Sequence, residues 1–231
     1  MKVILFGANG MVGQGVLREC LLDPGVEKVL AVGRRATGRH HEKLRELVHR
    51  DFLDFSTIEG ELAGYDACLF ALGVSSAGVS EPDYVRVTYD VTMAAARAIL
   101  RNNPALTFVF VSGASTDGTE KGRVMWARVK GRTENALLAM PFKAAYMFRP
   151  GYIQPLHGIV SSTKLLRLMY AVVGPLYPVW KTLFPNYVTT TEVLGRAMVR
   201  AAREGAPKRV LENGDINALG EGASSADAAR P

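Results

Sequence analysis

Short apolar runs alternate along this chain with stretches in which apolar side chains return every three or four positions. Strand and helix are predicted in turn from that alternation. KVILF (2 to 6) is an apolar run that ends in glycines, and from Met11 to Leu22 the residues Val12, Val16, Cys20 and Leu21 recur at helical spacing. Asp23-Pro24-Gly25 stops that helix, and EKVLAVG (27 to 33) supplies a second apolar run. A strand, a helix and a second strand make one right-handed βαβ unit.

The alternation continues through LVHRDF (47 to 52), YDACLFALG (65 to 73) and a helix from Asp83 to Leu100 with Val87, Val91, Ala94, Ala95 and Ala98 on one face. LTFVFVSG (106 to 113) is nearly all apolar, as a strand covered on both faces must be. A helix from Val124 to Leu138 and a sixth strand, KAAYMFRPG (143 to 151), follow. Beyond Tyr152 the pattern loosens into an insertion, 152 to 190, expected to form a small substrate-side lobe. It returns as a helix from Thr191 to Arg203 and a short strand, RVLE (209 to 212). The expected architecture is an α/β domain spanning 1 to 216, a doubly wound parallel sheet, with a disordered Ala-, Gly- and Ser-rich tail over 217 to 231.

Composition narrows the functional classes. With 231 residues the chain suits one sizeable domain, and 28 Lys and Arg against 22 acidic residues leave a net charge of +6 that favours an anionic ligand or surface. Basic residues are scattered apart from RRATGRHHEKLR (34 to 45), without helix-turn-helix or aromatic-plus-basic patterning, so nucleic-acid binding is not expected. Cys20 and Cys68 sit inside apolar patterns, and the four histidines lack ligand spacing, so neither a disulfide framework nor a metal site is expected. The short apolar run after Lys2 is too quickly interrupted for a signal peptide, which points to an intracellular, cytoplasmic protein. LLRLMYAVVGPLYPVWKTLF (165 to 184) carries Arg167, Lys181 and two prolines. It reads as an amphipathic flap over a substrate pocket, or as a peripheral membrane contact through 160 to 184, rather than as a spanning helix.

The candidate chemistry begins with FGANGMVGQG (6 to 15). Gly7, Gly10 and Gly13 are spaced G-x-x-G-x-x-G at the junction of a strand and a helix, where glycine lets backbone N–H groups approach a pyrophosphate at the positive end of the helix dipole. The turn residues Gly7, Asn9, Gly10, Met11, Val12 and Gly13 are therefore expected to hold a nicotinamide dinucleotide. At the end of the second strand, where an acid would bind a ribose 2′-hydroxyl, stand Arg34 and Arg35; guanidinium pairs with a 2′-phosphate, which favours NADP(H) over NAD(H). Asp51 and Phe52 after the third strand, and Ala71, Leu72 and Gly73 after the fourth, complete a series of cofactor contacts along successive strand ends.

GANGMVG, AVGRR, ALGVSSAG with DYVRVTYDV, VSGAST, RVKGRTE and FRPG together resemble the atypical short-chain dehydrogenase/reductase family, in its oxidoreductase-like branch typified by the Tat-interacting protein. The likeness runs from about Lys2 to Gly151 and more weakly to Ile216. It implies a Rossmann-like fold, an NADP(H) site at the positions above, oxidoreductase or epimerase-like chemistry on an unidentified small molecule, and a place for Pro150 and Ile153 beside the nicotinamide.

Reducing members use a Tyr-x-x-x-Lys pair on the helix after the fifth strand and a Ser or Thr at that strand's end. The pair shares one helical face, where the ammonium lowers the phenol pKa and holds the nicotinamide ribose. Here the stretch is WARVK: Lys130 is present, but Trp126 stands at the tyrosine position. Ser112 and Ser115 are the candidate strand-end hydroxyls. Indole does not donate a proton near neutral pH, so either another donor serves the site or the chain binds the dinucleotide without ordinary reduction, as a sensor or scaffold.

Overall fold

The computed structural model describes residues 1–159 and 177–222. Its elements run β1 (Lys2–Phe6), α1 (Met11–Leu22), β2 (Lys28–Gly33), β3 (Leu44–Val48), a 3₁₀ turn (Ser56–Leu62), β4 (Ala67–Phe70) and α2 (Glu81–Val85). A π turn (Arg86–Asp90) leads into α3 (Val91–Asn102), followed by β5 (Thr107–Val111), α4 (Met125–Leu138), β6 (Ala144–Arg149) and β7 (Tyr152–Gln154). After 160–176 come α5 (Tyr177–Leu183), β8 (Val188–Thr190), α6 (Thr191–Glu204), β9 (Val210–Glu212) and α7 (Asn213–Glu221).

Seven strands form one parallel sheet in the order β3-β2-β1-β4-β5-β6-β9. Alternation along each strand feeds two cores. Val3, Leu5 and Val109 enter the layer shared with Val16, Leu17 and Cys20 of α1 and Leu194 and Met198 of α6. Ile4, Phe6, Phe108 and Phe110 enter the opposite layer with Ala95 and Ile99 of α3. Helices on both faces of an all-parallel sheet make the expected doubly wound α/β architecture. Strand order reverses between β1 and β4, which opens a crevice at their carboxyl ends.

Three expectations are corrected. The third strand is Leu44–Val48 rather than 47 to 52: at the sheet edge Arg45 stays exposed, so no apolar run marks it, and the apolar Phe52 belongs to the following turn. The helix expected from Asp83 to Leu100 is interrupted by the π turn, in which Thr88 is buried and Val87 exposed. The tail expected to be disordered from 217 instead continues α7 to Glu221. That helix starts with a capping box between Glu212 and Asp215 and buries Ile216 and Gly220. Residues 223–231 lie outside the described residues.

The insertion of 152 to 190 is described at its two ends only. There β7 and β8 pair in parallel and α5 packs against β8. The first half of the flap, and with it most of the membrane contact expected through 160 to 184, falls outside the described residues. Among the described residues no helix is long and apolar enough to cross a membrane.

Candidate functional site

A cleft of about 440 Å³ opens at the switch point. At one end lies the glycine turn after β1, represented by Gly7, Asn9 and Gly10. The other end holds Arg34, Arg35 and Thr37 after β2. Ala71, Leu72 and Gly73 after β4 form one wall, with Phe52 on the opposite side. Nine residues expected from the strand ends therefore meet in one concave surface.

The glycines divide into two kinds. Gly7 has φ +86°, and a Cβ on it would lie 2.6 Å from the Ala71 backbone; a Cβ on Gly13 would lie 1.9 Å from the Gly7 carbonyl oxygen. Those two let turn, helix and β4 touch by backbone alone. Gly10 would bring its Cβ no closer than 3.3 Å to the Gly7 oxygen, and a Cβ on Gly73 would meet nothing within 4 Å. Their missing side chains leave the cleft open. Gly10 is also the N-cap of the twelve-residue α1, which has no side-chain cap and no acid in its first turn. The first N–H groups and the positive dipole end are thus left for an outside acceptor, which fits a pyrophosphate.

Arg34 and Arg35 are exposed, and neither makes an ion pair among the described residues. Asn9 ties this loop to the glycine turn, its Nδ2 donating to the Arg35 carbonyl at 2.9 Å. Glu46 of β3 also lines the cleft, and its carboxylate accepts the Thr37 N–H. Glu46, Leu47 and Val48 were missed here because the third strand was read over 47 to 52, which placed its carboxyl end at Asp51 and Phe52 instead of at Val48.

Several expected residues take other places. Met11, Val12 and Gly13 form the first turn of α1 and are not among the residues lining the cleft; Met11 and Val12 are half-buried, and Gly13 makes the backbone contact just described. Asp51 does not line the cleft: its Oδ1 accepts the Leu53 N–H at 2.9 Å, closing a local turn. Phe52 is buried in an aromatic cluster, 6.0 Å centre to centre from Phe6 and 5.7 Å from Phe55, so it reaches the cleft as part of the core. Pro150 is buried, its carbonyl accepting the Ala114 N–H at 2.8 Å. Ile153 sits in the core layer that contains Leu194 and Ile216 rather than in the cleft wall.

Ser112 is turned away from the cleft. It is buried, its hydroxyl donating to Glu134 and lying 3.0 Å from the Phe148 carbonyl. Its expected role as a strand-end hydroxyl facing substrate is corrected accordingly. Ser115 is exposed at the same strand end with φ +66°. Glu134, only 1% exposed, binds Arg149, whose Nε lies 3.1 and 3.2 Å from its two oxygens; Arg149 also reaches Glu212 at 3.1 Å. Hydrogen bonds to Glu134 and Glu212 hold the Arg149 guanidinium above its ordinary range against the opposing effect of burial. The sequence signal for this cluster was an arginine ending an otherwise apolar strand, FRPG, and a glutamate four residues past Lys130.

Lys130 Nζ donates to the Ser112 carbonyl at the carboxyl end of β5. Burial pushes its ammonium down to about 8, while the nearby Glu134 carboxylate pulls it the other way. Trp126, one turn earlier on α4, is half-buried.

Two depressions flank this end of the sheet. One, of about 520 Å³, lies between Ala114, Gly151 and Tyr187 and the start of α7. Asn213 there accepts the Gly151 N–H and donates to the Val188 carbonyl, each at 2.9 Å, so α7 fastens the lobe to the exit of β6. The other is an apolar groove of about 560 Å³ walled by Tyr152, Trp180, Phe184, Tyr187 and Val188.

Comparison with known proteins agrees with this geometry. Residues 3–134 match the NAD dependent epimerase/dehydratase family. The chain is 26% identical over 207 residues to the "Protein fmp52, mitochondrial" of Emericella nidulans, covering 87% of this chain and 86% of the relative. It is 27% identical over 224 residues to "Protein fmp52-2, mitochondrial" of Aspergillus oryzae, covering 94% and 95%. Among solved structures, an oxidoreductase of the short-chain dehydrogenase/reductase family from Burkholderia thailandensis superposes with a TM-score of 0.65 at 15% identity, over 99% of this chain and 98% of that one. The Bordetella bronchiseptica enzyme WbmF in complex with NAD+ gives 0.64 at 13%, over 97% and 78%. At those identities the likeness is one of fold. The relatives' mitochondrial names overturn the expectation of a cytoplasmic protein, which rested on the lack of a signal peptide and could not separate cytosol from organelle.

Proposed function

Because this chain belongs to the NAD-dependent epimerase/dehydratase family, we propose that it is an NADP(H)-dependent reductase of a bulky, apolar carbonyl compound. The observation that carries the reading is the single cleft joining the uncapped start of α1 to the unpaired Arg34 and Arg35. Gly10 and the first turn of α1 would hold the pyrophosphate, and the Arg34 and Arg35 guanidinium groups would hold the 2′-phosphate. Bound in reduced form, the dinucleotide supplies hydride. The groove of Tyr152, Trp180, Phe184 and Tyr187 offers the apolar surface that such a substrate needs.

Calorimetric titration with NADPH and NADH tests the cofactor. Arg34→Ala is expected to weaken NADPH binding by about tenfold to a hundredfold, the worth of a charge-assisted hydrogen bond, and to leave NADH nearly unchanged. Equal loss for both nucleotides would remove the 2′-phosphate from this loop. A second reading, a dinucleotide-binding protein without turnover, is favoured by Trp126 and by the buried Ser112 hydroxyl. Tight NADPH binding with no consumption across a broad carbonyl panel would select it.

A further inference from the structure

We propose that Glu46 opposes Arg34 and Arg35 in the choice of nucleotide: its carboxylate accepts a hydrogen bond from a ribose 2′-hydroxyl and repels a 2′-phosphate, so that the cleft takes NAD(H) as well as NADP(H). The proposal rests on the dinucleotide site of the reading above and needs no turnover. Among the described residues that line the cleft, Glu46 is the only acid. It stands on β3 opposite Ala31 of β2, while Val48, two positions on and on the same strand face, stands opposite Gly33, the last residue of β2. Arg34 and Arg35 follow directly, so a carboxylate and two guanidinium groups border one cavity.

The carboxylate is held at one oxygen and free at the other. Its Oε1 accepts the Thr37 N–H, which ties it to the loop that carries the two arginines. Asn9 grips the same loop two residues earlier, through the Arg35 carbonyl. Among the described residues Glu46 makes no ion pair: Arg45, next to it on β3, pairs with Glu61 at 2.7 Å, and Arg34 and Arg35 stay unpaired. Oε2 therefore keeps its acceptor sites for an outside donor. A carboxylate only accepts, so it suits a hydroxyl and not the oxygens of a phosphate.

Position decides which part of a dinucleotide Glu46 can meet. The uncapped start of α1 at Gly10 suits the pyrophosphate and the guanidinium groups suit whatever the 2′ carbon carries, so the adenosine ribose would lie between them. Glu46 reaches the arginine end of that interval through its bond to Thr37. Asp51, the other acid expected along these strand ends, is bonded to the Leu53 N–H and does not line the cleft. Apolar lining from Val32, Leu47 and Phe52 limits screening by water, which strengthens attraction and repulsion alike. Charge then sorts the nucleotides in opposite directions. The arginines gain from a 2′-phosphate while the glutamate loses, and for a 2′-hydroxyl the glutamate supplies the acceptor that arginine lacks.

The test is calorimetric titration of the whole protein with NADPH and NADH, and with adenosine 2′,5′-bisphosphate and 5′-AMP, which differ only in the 2′-phosphate. Glu46→Gln keeps the length of the side chain and an oxygen for the Thr37 N–H but removes the charge. It is expected to tighten NADPH by about threefold to tenfold and to weaken NADH by a similar factor, so that the ratio of the two Kd values moves by about tenfold or more. The two fragments should separate in the same direction. Glu46→Asp keeps the charge and should hold the ratio within about threefold of the native one. A Glu46→Gln ratio within about twofold of the native one overturns the proposal and leaves the dinucleotide site standing. An NADPH affinity that falls as far as that for NADH does the same, and makes residue 46 a brace for the loop only. Tight NADPH binding by the native chain with no detectable NADH binding also overturns it. A native chain that binds neither nucleotide removes the site itself, and the proposal with it.

Discussion

Glu134→Ala is expected to destabilise the protein by about 3–5 kcal/mol, because it leaves the Arg149 guanidinium facing a buried gap. Arg149 keeps only its outer contact to Glu212, whose side chain is more than half exposed and contributes little once screened by water. For a chain of this size the midpoint of thermal unfolding falls by something on the order of 10 °C. The loss is expected to be larger than for Arg149→Met, which removes the orphaned charge along with the pair, and the double variant should recover part of the difference. Urea unfolding of the three variants measures this. A Glu134→Ala protein within about 1 kcal/mol of the native chain would mean that the cluster adds nothing to the surrounding packing. Because Ser112 would also lose the acceptor of its hydroxyl proton, the end of β5 and the carbonyl that holds Lys130 should loosen together.

Gly13→Ala and Gly10→Ala are expected to fail in different ways although they lie three residues apart. The new methyl at position 13 would sit 1.9 Å from the Gly7 oxygen, with the Gly7 carbonyl carbon at 2.5 Å. Backbone on both sides does not yield, so α1 must shift away from β1 and β4. A stability loss of about 1–3 kcal/mol and a collapse of dinucleotide binding should appear together. At position 10 the nearest atom is 3.3 Å away, and the methyl points into the cleft. Thermal unfolding should hardly move, while affinity falls because the methyl stands where the pyrophosphate approaches. Equal stability losses in the two variants would erase the distinction between a packing glycine and a binding glycine.

Period and punctuation in the chain made most of the fold legible. KVILF and Met11 to Leu22 matched their elements because strand, turn and helix each satisfied their own local rule there. Legibility ended where tertiary contact outweighed pattern. Leu44–Val48 is an edge strand with one neighbour, so it needs no apolar run, and the register that places Glu46 beside Ala31 is set by pairing with β2. Val87 was misplaced because a π turn changes the helical phase without leaving any compositional mark. Much of the site could be read because its residues follow strand ends in order, from Gly7 through Arg34 to Gly73. Ser112 could not be read, since a serine at a strand end looks the same whether it faces substrate or a buried glutamate fifteen residues before its arginine.

The Asn9 bond to residue 35 has a consequence for changing which nucleotide the cleft prefers. Asn9 grips a main-chain carbonyl and not a guanidinium, so the path of the loop is indifferent to the side chains at 34 and 35. The scaffold and the selectivity element are therefore separable. Exchange of both arginines for the acidic residue of an NAD-preferring site would rewrite the preference while the glycine turn kept its brace, whereas removal of Asn9 would loosen the frame for either nucleotide alike.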